Sequence, residues 1–229
     1  MEKTVMLMEI RYEPDSQFFD SKGRYIYALK ESMGLNKWEL KDEDLELFSE
    51  NKQKKVFFTY KHFGIVMVNP ETNFEFCDAA SKLIREIYKI SFMSNQKILR
   101  IGLRTKRIKE LDMKLEQFVE HKTKLFYNDT ILGLLSDSEI IDIGISIDAK
   151  DDVGSFSLSA GPMEKEQAIE MFKELKDEDI PDFGFFSDID YYSVPKRVLS
   201  HGAIVTEINA MIRKIDKRDK ECRNHLMEE

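Results

Sequence analysis

Residues 98–119, Ile-Leu-Arg-Ile-Gly-Leu-Arg-Thr-Lys-Arg-Ile-Lys-Glu-Leu-Asp-Met-Lys-Leu-Glu-Gln-Phe-Val, change hydrophobic period part-way along. Leu99, Ile101 and Leu103 alternate with Arg100, Gly102 and Arg104, the period of a strand with one buried face. Leu111, Leu115, Phe118 and Val119 then recur at helical spacing. A chain that switches period in this way has to pack helix against sheet. The pattern therefore predicts an α+β fold.

The other segments read by the same two periods. Met6, Met8, Ile10 and Tyr12 alternate with Glu9 and Arg11, which predicts a first strand. Tyr25, Ile26 and Leu29 predict a short helix stopped by Gly34, and residues 35–49 read as a loop with a short acidic helix. Residues 55–61 and 63–68 predict a hairpin. Its second strand is apolar on both faces and so belongs inside a sheet. Phe74 and Phe76 suggest a short strand, and Asp78 then reads as the cap of a helix carrying Leu83, Ile84 and Ile87.

Asp137 and Ser138 mark a boundary. After it, Ile141, Ile143, Ile145 and Ile147 predict a strand with Asp142 on its polar face. Residues 155–160 return, and Pro162 is placed in the first turn of a helix with Ala168, Phe172 and Leu175 inward. Residues 183–192 predict a strand. A long helix follows from Pro195, fraying after about Arg218 where the chain turns polar.

Strand, strands, helix, strand, helix thus occurs twice. The expected organisation is two related halves, 1–136 with an inserted helical segment near 15–50, and 137–229 ending in a long helix. Each half is expected to be a mostly antiparallel sheet covered by helices on one face.

At 229 residues the chain can bury a core without disulfides or metal. The N-terminus lacks the apolar core of a signal peptide and no run is long enough to span a bilayer, so a cytoplasmic protein without a membrane partner is expected. Cys77 and Cys222 are expected to be free thiols. The net charge of −8 argues against general nucleic-acid binding.

Three short strand motifs, Glu9-Ile10-Arg11, Ile101-Gly102-Leu103-Arg104 and Asp188-Ile189-Asp190-Tyr191, resemble those of a sporadically distributed bacterial family of unknown function. The chain departs from that pattern after Arg104, where Thr105-Lys106-Arg107 stands in place of an aromatic and Asn. The resemblance implies a two-repeat α+β architecture and no particular chemistry.

The polar strand faces hold the candidate site. Arg100 and Arg104 share one face with Gly102 between them, Asp142 has the equivalent position on its strand, and Asp188 and Asp190 share a face. On one surface these five residues suit anion capture by the arginines or divalent-cation binding by the aspartates. The competing reading is cross-strand ion pairing on a solvated face. Asp148, Asp151 and Asp152 do not match a calcium loop and read as an acidic turn. His62, His121, His201 and His225 have no partner at metal spacing, and His201 is expected to pack near the apolar stripe of the last helix. No nucleophile elbow, phosphate loop or dinucleotide fingerprint is present, and no cofactor or metal is expected.

The reading that follows is a non-enzymatic interaction module of immunity, antitoxin or defence-accessory type. Its acidic segments, residues 42–50 and 174–182, suit a basic protein partner. The alternatives are an anion or nucleotide sensor built on Arg100 and Arg104, and a metal-dependent hydrolase built on Asp142, Asp188 and Asp190.

Overall fold

A computed structural model describes residues 1–90 and 92–227. The chain is α+β. Its strands are β1 (Glu2–Tyr12), β2 (Lys37–Leu40), β3 (Asp44–Phe48), β4 (Lys54–Thr59), β5 (His62–Val68), β6 (Lys97–Glu110), β7 (Ile145–Lys150), β8 (Ser155–Glu164), β9 (Phe183–Ser193) and β10 (Arg197–Val198). Its helices are α1 (Gln17–Met33), α2 (Asn73–Ile90), α3 (Leu115–Phe126), α4 (Asp129–Leu134), α5 (Lys165–Met171) and α6 (His201–Met227).

All the strands join one antiparallel sheet in the order β2-β3-β4-β5-β1-β6-β9-β8-β7, with β10 added beside β6. The expectation of one sheet per half is thereby corrected. The 14-residue β6 is the seam, because β1 pairs along one edge and β9 along the other. The segments before and after residue 137 differ both in the order of their elements and in strand order. β1 lies between β5 and β6, whereas β7, among the described residues, pairs only with β8.

Period-two alternation along β1 sorts the core onto two faces. Met6, Met8, Ile10 and Tyr12 join the main cluster with buried residues of α1, α2, α3 and α6. Val5 lies on the opposite face with Val66, Ile108, Ala168, Phe172 and Leu175. Helices therefore do not keep to one face, since α5 and the chain after it cover part of the second. The rest of that second, outward face stays open.

Local sequence explains where the expected elements shift. Gly34 closes α1 in the left-handed region (φ 67°), as its missing Cβ allows. Residues 35–49 form β2 and β3 instead of a loop and helix, because Leu45 and Leu47 are buried at period two against β4. α2 begins at Asn73, with Thr72 Oγ1 accepting the Glu75 N–H at 3.1 Å, so Phe74 and Phe76 are helical. The strand expected to include Ile141 and Ile143 begins only at Ile145, and Ile141 is 77% exposed at the sheet margin.

Pro162 lies in β8 and not in a helix. The Lys165 N–H bonds to the Asp182 carbonyl, so odd-numbered β8 residues address β9. Pro162 therefore turns its donor-less nitrogen toward the side where β7 has not begun, a tolerated edge position. The apolar stripe opens in α6 at His201, and β10 occupies the chain after Pro195. α6 does not fray at Arg218 but continues to Met227 with Asp219, Cys222 and Leu226 buried. No helix among the described residues is long and apolar enough to cross a membrane.

Candidate functional site on the outward sheet face

Arg100, Arg104, Asp188 and Asp190 stand on the outward face of the β6–β9 pair. Arg104 is directly opposite Asp190 and Lys106 opposite Asp188. The side chains pair diagonally instead. Arg104 grips Asp188 with two bonds, Nε to Oδ1 at 2.8 Å and Nη2 to Oδ2 at 2.5 Å. That hydrogen bonding holds the Arg104 guanidinium above its ordinary pKa. Arg100 Nη2 reaches Asp190 at 3.1 and 3.3 Å. Its Nη1 lies 3.7 Å from Glu9, which also accepts from Arg11 Nε at 2.5 Å.

Gly102 makes the reach of Arg100 feasible. A Cβ there would stand 3.2 Å from Arg100 Nη1, so the guanidinium lies over the bare backbone. It also rests 4.7 Å from the Tyr192 ring centroid. The space above Gly102 is filled by the chain's own arginine. Lys106 is likewise engaged, by Glu174 at 2.7 Å and the Met171 carbonyl at 2.8 Å.

Asp142 does not lie on a strand. It precedes β7 and lines a cleft of about 570 Å³ with Arg104, Lys106, Gln167 and Glu170. Arg100 does not line this cleft. Asp188 and Asp190 are held by different arginines. No group of three His, Cys, Asp or Glu side chains among the described residues is placed to hold a metal ion. The arrangement on this face is cross-strand ion pairing.

A second depression, about 290 Å³, lies on the same face toward β3. Leu7, Phe57 and Val66 give it apolar walls, and Asp44, Glu46 and Glu174 bring acids from the two acidic segments. Glu46 is paired with Lys55 at 3.1 Å. His62 is at its margin, with a pKa lowered chiefly by burial. Local periodicity does not show this convergence, because Glu46 lies in a segment whose pattern predicts a loop and a short helix and Glu174 is 128 positions away.

Two further clusters carry no sequence motif. Asp151 accepts from the Val153 and Gly154 N–H groups, from Tyr191 Oη and from Arg218 Nη2 at 2.6 Å. The Arg218 guanidinium lies 4.0 Å from the Phe156 ring centroid. Asp219 is held beneath α6 by Arg107, Ser187 and Arg223. The spacing Asp151-Asp152-Val153-Gly154 signalled a turn but not its partners.

Both cysteines are free, Cys77 half-buried and Cys222 buried, and burial pushes each thiol up to about 11. His201 is exposed beside the Tyr88 ring and is not packed in the core as expected.

No protein-family model and no curated protein matches the chain. Among solved structures, a rolling circle replication initiator protein from Geobacillus stearothermophilus is similar over 92% of this chain and 80% of that one. The sequence identity is 11% and the TM-score 0.28, a likeness that carries no functional argument.

Proposed function

We propose that the protein is an interaction module that docks a basic segment of a protein partner on its outward sheet face. The observation supporting this reading is the meeting of Asp44, Glu46 and Glu174 around the apolar walls of Leu7, Phe57 and Val66. A lysine or arginine of the partner would lay its stem on those walls and place its head among the carboxylates. Glu46 is already paired with Lys55 and Glu174 with Lys106, so Asp44 is the carboxylate that steers the approach and a basic head would share or displace those lysines at the other two. On this reading the module is cytoplasmic, performs no chemistry, and serves an immunity, antitoxin or defence-accessory role.

The test is capture from source-cell extract with the tagged protein and with a double variant, Asp44→Lys with Glu46→Lys, whose fold is verified by circular dichroism. A stoichiometric basic protein held by the native chain and lost from the variant supports the reading. Equal capture by both, or capture of nothing by the native chain, sinks it.

One observation favours an anion sensor as a second reading. Arg104 and Lys106 line the same 570 Å³ cleft. An anion would have to compete with Asp188 and Glu174 for them. Titration calorimetry with phosphate and with nucleotides tests this, and no heat at millimolar ligand removes it.

A further inference from the structure

We propose that β7 is the docking edge for a second copy of this chain, which adds its own β7 antiparallel across a two-fold axis. The surface is separate from the acidic depression and does not depend on the partner reading.

β7 closes one end of the sheet and, among the described residues, pairs only with β8. The Asp151 N–H bonds to the Gly154 carbonyl at 2.9 Å, in the register that sets Ile147 opposite Leu158. Odd-numbered residues therefore address β8, and the peptide groups of Ser146, Asp148 and Lys150 point out of the sheet. At the preceding even position, Tyr127 Oη lies 3.4 Å from the Gly144 nitrogen and 3.3 Å from its carbonyl oxygen, so a hydroxyl takes the place of a neighbouring strand. That cover stops at Gly144.

The edge carries few of the devices that discourage pairing. Its register with β8 runs without a bulge and it contains no proline; its charges are Asp148, which accepts from Ser157 Oγ on β8, and Lys150 at the far end. The opposite edge, β2, is shorter, and the Lys30 ammonium stands 5.2 Å over its Trp38 ring.

Self-complementarity selects a second copy as the occupant. With the two-fold axis at Ile147, each Ile147 faces its mate, each Ser146 faces an Asp148, and each Ile145 faces an Ala149. This register uses the outward peptide groups as hydrogen-bonded pairs and makes Ile147 a close, non-hydrogen-bonded pair. Moving the axis to Asp148 would set two carboxylates against each other. Ile147 is 48% exposed on the helix-covered face, beyond the reach of the helix layer. Strand addition of this kind closes after two copies, as an isologous contact must.

The experiment is sedimentation equilibrium on the full chain over a wide micromolar range. The native protein should reach twice its 26.9 kDa mass. Ile147→Lys and Asp148→Pro should each return it to a single chain. The proline replaces an outward N–H and leaves the β8 ladder whole. The lysine replaces a half-exposed side chain, so a folding defect in one variant leaves the other informative. A native mass of one chain throughout overturns the proposal. So does a dimer that survives both substitutions, or growth beyond two copies.

Discussion

Arg107 on β6 donates to Asp219 on α6 through Nη1 at 2.5 Å, joining residues 112 positions apart. Asp219 is 1% exposed and also accepts from Ser187 Oγ at 2.6 Å and Arg223 Nη2 at 2.7 Å. Asp219→Ala leaves two guanidinium groups without this carboxylate. A loss of about 3 kcal/mol is expected, read as a lower urea midpoint. An unchanged midpoint would mean that the network does not hold the end of α6.

Glu9 pairs in register with Gly64 on one side and Gly102 on the other. A Cβ at Gly64 would collide with the Met8 carbonyl oxygen and the Phe57 ring, whereas at Gly102 the nearest atoms it meets are those of the movable Arg100 guanidinium. Gly64→Ala should cost about 1–3 kcal/mol or more. Gly102→Ala should cost about 1 kcal/mol or less, from displaced cation–π contact. Thermal melts of the pair test the ranking, and equal costs would refute it.

His62 should titrate below its ordinary 6.5. Burial lowers it first, and Arg11 and Lys61 add to that against the opposing pull of Glu9. Thr59 Oγ1 accepts the Lys61 and His62 N–H groups and lies 3.1 Å from His62 Nδ1 and 3.4 Å from the His62 carbonyl oxygen, so it can donate to Nδ1 when that nitrogen is bare. Below pH 6.5 the unfolded chain binds a proton that the native state resists. Stability is therefore full above that pH and falls as pH drops through it. His62→Gln should flatten that part of the stability profile, and an NMR titration of the imidazole gives the value directly.

Asp151 shows the acid counterpart. Burial opposes its charge, but hydrogen bonds led by Tyr191 hold its carboxyl well below the ordinary 3.8. Its contribution is present above 3.8 and is lost as pH falls through the native value. Tyr191→Phe removes one donor, so the acid-unfolding midpoint should move to higher pH. Stability at neutral pH should fall by about 1 kcal/mol. A midpoint that does not move would assign the effect to Arg218 and the turn.

Elements with a clean period were legible. β9 and β5 stand where their patterns put them, and Gly34 ends α1. Ala168, Phe172 and Leu175 are buried as their spacing predicts, but α5 ends at Met171, so only Ala168 of the three is helical. Errors arose where neighbours overrode local pattern. Leu45 and Leu47 looked like fragments of an acidic helix until β4 lay beside them. Pro162 looked like a helix start because nothing local reveals that its nitrogen faces an unpaired edge. Asp219 reads as part of a polar tail because Arg107 and Ser187, which bury it with the local Arg223, come from distant strands.

The candidate site divides in the same way. That Arg100 and Arg104 share a face, as do Asp188 and Asp190, follows from strand period alone, because successive side chains alternate across a sheet. Which carboxylate each arginine grips, and that Asp142 falls off the strand, depended on register and on where the sheet ends. The local period of the chain established α+β character and the inward residues of most elements. Only the assembled sheet decided that both segments share one core, that the arginines neutralise their own neighbours, and that Asp44, Glu46 and Glu174 meet. Pairing between distant strands is set by long-range packing, which no local window of residues contains.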